Sequence, residues 1–114
     1  MRVDVNRAES DLDDSRSSEA TQAGAQAFLR LLNLAEQRDS GQIARVARFL
    51  ASLYNGQAFP LDPYDLRAVD VAISDDMLCC LDALRWGRAD LHTLGNARML
   101  AVIERWGLRW PADA

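Results

Sequence analysis

Asp39-Ser40-Gly41-Gln42-Ile43-Ala44-Arg45-Val46-Ala47-Arg48-Phe49-Leu50-Ala51-Ser52-Leu53-Tyr54-Asn55-Gly56 settles the fold class. Ile43, Val46, Ala47, Leu50, Leu53 and Tyr54 recur at spacings that put them on one face of a helix, with Arg45, Arg48 and Ser52 on the other flank. Asp39 or Ser40 can cap the start, and Gln42, three residues after Asp39, resembles a capping box. Asn55-Gly56 ends the helix near Tyr54, with Gly56 suited to the left-handed position beyond it.

Upstream, Phe28, Leu31, Leu32 and Ala35 form a second helical stripe, widened by Leu29 and Leu34, which predicts a helix from about Glu19 to Arg38. Residues 1–18 are polar and charged around Asp11-Leu12-Asp13-Asp14-Ser15-Arg16-Ser17-Ser18. They are expected to form a disordered acidic tail, because they carry too little apolar surface to offset the entropy of ordering. Downstream, Phe59 and Leu61 are expected to pin an extended link onto the core. Asp62-Pro63-Tyr64-Asp65 is a helix start, with a cap, a first-turn proline and an acid at the positive end of the dipole. Leu66, Val69, Ile73, Met77, Leu78, Leu81 and Leu84 continue an apolar stripe to Trp86, with a kink or restart expected at Ser74. After a connection at Gly87–Gly95, Asn96 is expected to cap a last helix from about Ala97 to Trp106, with Leu100, Ile103 and Trp106 inward and Gly107 as its stop. The predicted architecture is all-α: a compact bundle of four to five helices over residues 19–110, with tails at 1–18 and 111–114.

All 13 basic residues are arginine against 17 acidic ones, for a net charge of −4. Residues 1–20 hold six acids and three arginines, so the folded part is nearly neutral. Within it, residues 62–82 carry six aspartates and residues 85–109 five arginines, a polarity able to steer association. No apolar run approaches the roughly 18 residues of a spanning helix, and the first residues lack a signal-peptide core. The two cysteines, Cys79 and Cys80, are adjacent and read as core-filling thiols rather than a disulfide framework. A cytoplasmic location is expected.

Little in the chain suits catalysis. His92 is the single histidine, the acidic segment lacks the spacing and glycine of a calcium loop, and there is no glycine-rich phosphate loop or nucleophile elbow. No catalytic, cofactor or metal residue is assigned, and a non-enzymatic role is expected. Two surfaces are candidates. Asp65, Asp75, Asp76 and Asp82 are candidate acidic contacts for a partner. Arg85, Arg88, Arg105, Arg109 and Trp110 are candidate basic and aromatic contacts of the kind used at protein hot spots or single-stranded nucleic acids.

The strings Ser40-Gly41-Gln42, Val46-Ala47-Arg48-Phe49-Leu50, Phe59-Pro60-Leu61-Asp62-Pro63-Tyr64-Asp65-Leu66-Arg67-Ala68-Val69-Asp70 and Asp75-Asp76-Met77-Leu78 resemble an uncharacterised proteobacterial family. Its members are small proteins, carrying a domain of unknown function, found on plasmids and integrative conjugative elements. The resemblance spans about Leu32 to Trp106 and departs at Leu53-Tyr54, where paired tryptophans are common, and in the Gly95 to Trp106 region. It brings no activity and no catalytic residues. It implies an accessory protein of a mobile element, of the kind that blocks host machinery such as CRISPR effector complexes, by protein contact or by carboxylates standing in for phosphates. The sequence-level expectation is therefore a protein partner, with a homodimer as a further possibility. The alternative is a nucleic-acid-linked regulator using the arginine and tryptophan surface.

Overall fold

Ala27, Phe28, Leu31, Leu32 and Ala35 are all 0% exposed, so the first predicted stripe is the spine of the core. The computed structural model describes the backbone of residues 2–112 and the side chains of residues 11–112. Among the described residues there are four helices, α1 (Arg2–Gln37), α2 (Gly41–Tyr54), α3 (Val71–Trp86) and α4 (Asn96–Arg105), with 3₁₀ turns at Pro63–Arg67 before α3 and Leu91–Gly95 before α4. No strand occurs among the described residues, and the all-α bundle stands.

Helices α1 and α3 run antiparallel. Arg88 beyond α3 meets Ser17, Gly24 lies against Ala83, and Arg30 pairs with Asp76, so the numbers rise on one helix as they fall on the other. α2 closes the core with Ile43, Val46, Ala47, Phe49, Leu50 and Ala51, and α4 adds Met99, Val102 and Ile103. Each large side chain in this core contributes about 2 kcal/mol relative to leaving it in water. The Trp106 indole donates to the Ala35 carbonyl at 2.8 Å, tying the end of α4 to α1.

Several boundaries differ from expectation. Residues 11–18 belong to α1 rather than to a tail. Arg88 donates to Ser17 Oγ at 2.9 Å and to the Asp14 carbonyl at 3.2 Å, and the Arg16 guanidinium sits 5.4 Å over the Trp86 ring. Partners distant in sequence thus supply the ordering contacts that the segment lacks. The side chains of the rest of that expected tail, and residues 113–114, lie outside the described residues. The break in the third helical segment comes at Ala68–Asp70, not Ser74: Asp70 is the N-cap of α3 and Ser74 bonds back to the Val71 carbonyl. Asp62 does cap the preceding 3₁₀ turn, accepting from the Tyr64 amide at 3.0 Å.

Gln42 makes no capping box. It bonds across to Asp70, joining α2 to the start of α3. Asn96 is already helical, and the 3₁₀ turn runs directly into α4. Gly56 does not adopt a left-handed conformation; instead the Asn55 carboxamide accepts from the amides of Gln57 and Ala58, turning the chain after α2. Gly87 does take the left-handed position, at φ 69°, and stops α3.

The inward stripes also shift. On α3 the buried residues are Met77, Cys80 and Ala83, while Leu78 and Leu84 are exposed. On α4, Met99 and Val102 take the inward positions expected of Leu100, which is 45% exposed.

Candidate functional site

Helix α3 packs on α1 by a narrow ridge of small and flexible residues, so its opposite side is free to meet something else. With Cys80 fully buried and 100° per residue, Val71, Asp75, Leu78, Asp82 and Arg85 fall within an arc of about 80° on the outer side. Val71 is 75% exposed and Leu78 51%. Asp75 is exposed, and Asp82 is held by Arg85 Nε at 2.6 Å, one turn along the same face. The result is an apolar pair interleaved with acids on a rigid helix.

Of the four acidic candidates, this face unites Asp75 and Asp82 and loses the other two. Asp65 is 1% exposed and accepts from Arg45 Nη1 at 2.7 Å and Arg48 Nη2 at 3.2 Å, both on α2. It is a core-edge clamp, not a contact for a partner. Asp76 turns toward α1, where Arg30 grips it with two bonds of 2.8 and 3.1 Å. That grip raises the Arg30 pKa, chiefly through the hydrogen bond.

The basic and aromatic candidates do not form one surface. Arg85 and Arg88 lie near residues 14–17 of α1, whereas Arg105 donates to the carbonyls of Ala35 and Arg38 at the other end. Eighteen residues of α1 separate Ser17 from Ala35, about 27 Å along the helix axis. Arg105 satisfies carbonyls at the C-terminal end of α1, as basic side chains near helix ends commonly do, whereas Arg88 donates to the Asp14 carbonyl and Ser17 hydroxyl inside the helix. Trp110 folds back, 4.8 Å from the Phe59 ring and 6.1 Å from Tyr54. Arg109 is exposed.

Sequence reasoning missed Val71 and Leu78 as surface residues. The signal was present: the spacing of Ile73, Met77, Cys80 and Ala83 describes an equally good stripe, displaced from the one through Leu78 and Leu84. Choosing between them required knowing that the partner helix offers Gly24. A Cβ there would overlap Ala83 and lie 2.9 Å from the Cys79 carbonyl, so α3 must present its smallest side chains to α1.

Burial pushes the Cys80 thiol pKa up to about 12, which marks it as inert filler. Among the described residues no group of three histidine, cysteine, aspartate or glutamate side chains could hold a metal. No helix there is long and apolar enough to cross a membrane.

A family model described as a family of unknown function (DUF7673) matches residues 25–107, from the middle of α1 to the end of α4. No curated protein and no solved structure matches the chain.

Proposed function

The chain belongs to the DUF7673 family of unknown function, and from that premise we propose that it is a non-enzymatic binding protein whose partner docks on the outer face of α3. The single observation that carries the reading is Leu78, 51% exposed at the middle of a face that also holds Val71, Asp75 and Asp82. An exposed leucine alone means little; a β-branched and a leucine side chain aligned on a rigid helix and flanked by acids make a recognition surface. The matching partner is a protein with an apolar depression bordered by arginine or lysine. Binding there buries both side chains and pairs the charge of Asp75, which is otherwise solvated.

In this reading the partner is a subunit of a host defence complex of the CRISPR type, and the chain is a cytoplasmic product of a mobile element. Contact through protein surface is favoured over phosphate mimicry. The carboxylates of Asp65, Asp76 and Asp82 are engaged by the chain's own arginines, which leaves Asp75 on the face rather than a ladder of free acids.

The test uses the full chain as bait against purified effector complexes and against a host lysate, with Leu78→Arg and Leu100→Arg as paired variants. Leu100 is exposed on α4, away from the face. The expected result is a stoichiometric effector subunit retained by the wild type and by Leu100→Arg and lost by Leu78→Arg. Absence of any such subunit, or retention by Leu78→Arg, rejects the proposal; light scattering on the same samples separates a second copy of the chain from a foreign partner.

A further inference from the structure

The chain's one histidine lies in a cleft that shares no residue with the α3 face. Tyr54 and Asn55 at the end of α2, His92 and Thr93 in the second 3₁₀ turn, Asn96 at the start of α4, and Trp110 line a volume of about 520 Å³. That is within the usual size of a small-molecule pocket, roughly 300–1,000 Å³. Its walls are aromatic. Tyr54 meets His92 at 5.7 Å between centroids and 83° between planes, and Trp110 at 6.1 Å and 74°. Phe59 braces Trp110 at 4.8 Å, yet Trp110 keeps 41% of its surface open.

The polar groups of the cleft are the Asn55 and Asn96 carboxamides, the Tyr54 and Thr93 hydroxyls and the His92 imidazole. The Asn55 oxygen already accepts from Gln57 and Ala58, which leaves its NH₂ group as donor. The Thr93 hydroxyl donates to the Asp90 carbonyl at 2.7 Å, which leaves its lone pairs as acceptors. The Asn96 side chain, exposed at the first residue of α4, offers both, and forms no hydrogen bond among the described residues. No arginine, aspartate or glutamate lines the cleft. A bound cation would lack a counter-charge and a bound phosphate would lack a guanidinium.

What fits is a flat, uncharged ring system with donors and acceptors along its edge. Aromatic side chains stack on its face while amides read its rim, which is how single-stranded bases are held. We propose that this cleft binds a nucleobase. The same chemistry is offered by a free nucleoside and by the base of a single strand. The net charge of −4 favours the nucleoside, since a strand brings phosphates that an acidic chain repels.

The test is an NMR titration of the ¹⁵N-labelled full chain with each of the four ribonucleosides and, separately, with six-nucleotide single strands. The Trp110 indole N–H and Asn96 side-chain amide signals are expected to move together on one saturating curve, while the Trp86 indole stays in place. Asn96→Ala, at an exposed position that needs no side-chain bond to fold, is expected to weaken binding about tenfold. Tighter, salt-sensitive binding of a strand assigns the base to a nucleic acid; equal or weaker strand binding assigns it to the free nucleoside. No saturable shift with any nucleoside or strand, equal movement of all three indole signals, or unchanged affinity in Asn96→Ala overturns the proposal.

Discussion

Asp65 shows how far a side chain's role depends on what faces it. In the sequence it is one more aspartate in an acidic segment and a natural first-turn residue. In the structure it is 1% exposed, and two arginines one turn apart on α2 converge on one of its oxygens. The arginine side chains keep 39% and 50% of their exposure, so the clamp is screened on one side and buried on the other. Asp65→Asn removes the charge and preserves the shape. It is expected to lower stability by about 2 kcal/mol, the worth of hydrogen bonds to a charged group. Urea denaturation with an unchanged midpoint would show the clamp to be decorative. The Glu36–Arg98 pair is the contrasting case. Its 2.7 Å bond lowers the Glu36 pKa through the hydrogen bond from Arg98, but both partners are partly solvated, and such pairs contribute about 0.5 kcal/mol.

Helix α1 is organised by one small residue. Gly24 weakens an isolated helix by up to about 1 kcal/mol relative to alanine, so local propensity argues against it. It persists because α3 approaches there too closely for a Cβ: Ala83 and the Cys79 carbonyl occupy the space. Gly24→Ala therefore sets two effects against each other. Improved propensity is worth less than the displacement of packed backbone, and overpacking typically costs 1–3 kcal/mol. The expected outcome is a net loss of about 1–2 kcal/mol by calorimetry or denaturant. A stabilised Gly24→Ala variant would mean that the two helices do not pack this closely. The same crossing decides the register of α3, since it requires the Ile73, Met77, Cys80 and Ala83 side to face inward and leaves Leu78 to solvent.

Across the assembled bundle, most arginines are committed to internal work: two on Asp65, one each on Asp76, Asp82 and Glu36, and two on backbone carbonyls of α1. The polarity visible along the sequence is partly neutralised in space, since Asp65, Asp76 and Asp82 are ion-paired and Arg85 and Arg98 pair with acids. Titration of the whole fold is instead expected to expose a buried thiol at high pH. Cys80 is fully buried, and its pKa rises from 9.0 to about 12 mainly by desolvation. A raised folded-state pKa means that the native chain holds the proton more tightly than the unfolded one. The associated stability is complete below about pH 9 and is lost as pH rises toward 12. The stability gap between wild type and Cys80→Ala should narrow above pH 9 by up to about 1.4 kcal/mol per pH unit. A gap that stays constant from pH 8 to 11 in denaturant titrations would contradict the burial of this thiol.

Periodicity and punctuation, which are local, were enough to establish an all-helical chain, the stripes of α1 and α2, the Asp62-Pro63 start and the stop at Gly107. Each rests on interactions within a few residues, and those can be counted along the chain. The face that α3 shows to solvent, the burial of Asp65, the extension of α1 through residues 11–18 and the aromatic cleft around Trp110 were beyond such counting. Each depends on groups dozens of residues apart meeting in space. Where two stripes on one helix are equally apolar, it is the shape of the neighbouring surface, here the gap left by Gly24, that selects which is buried and so which is left for a partner.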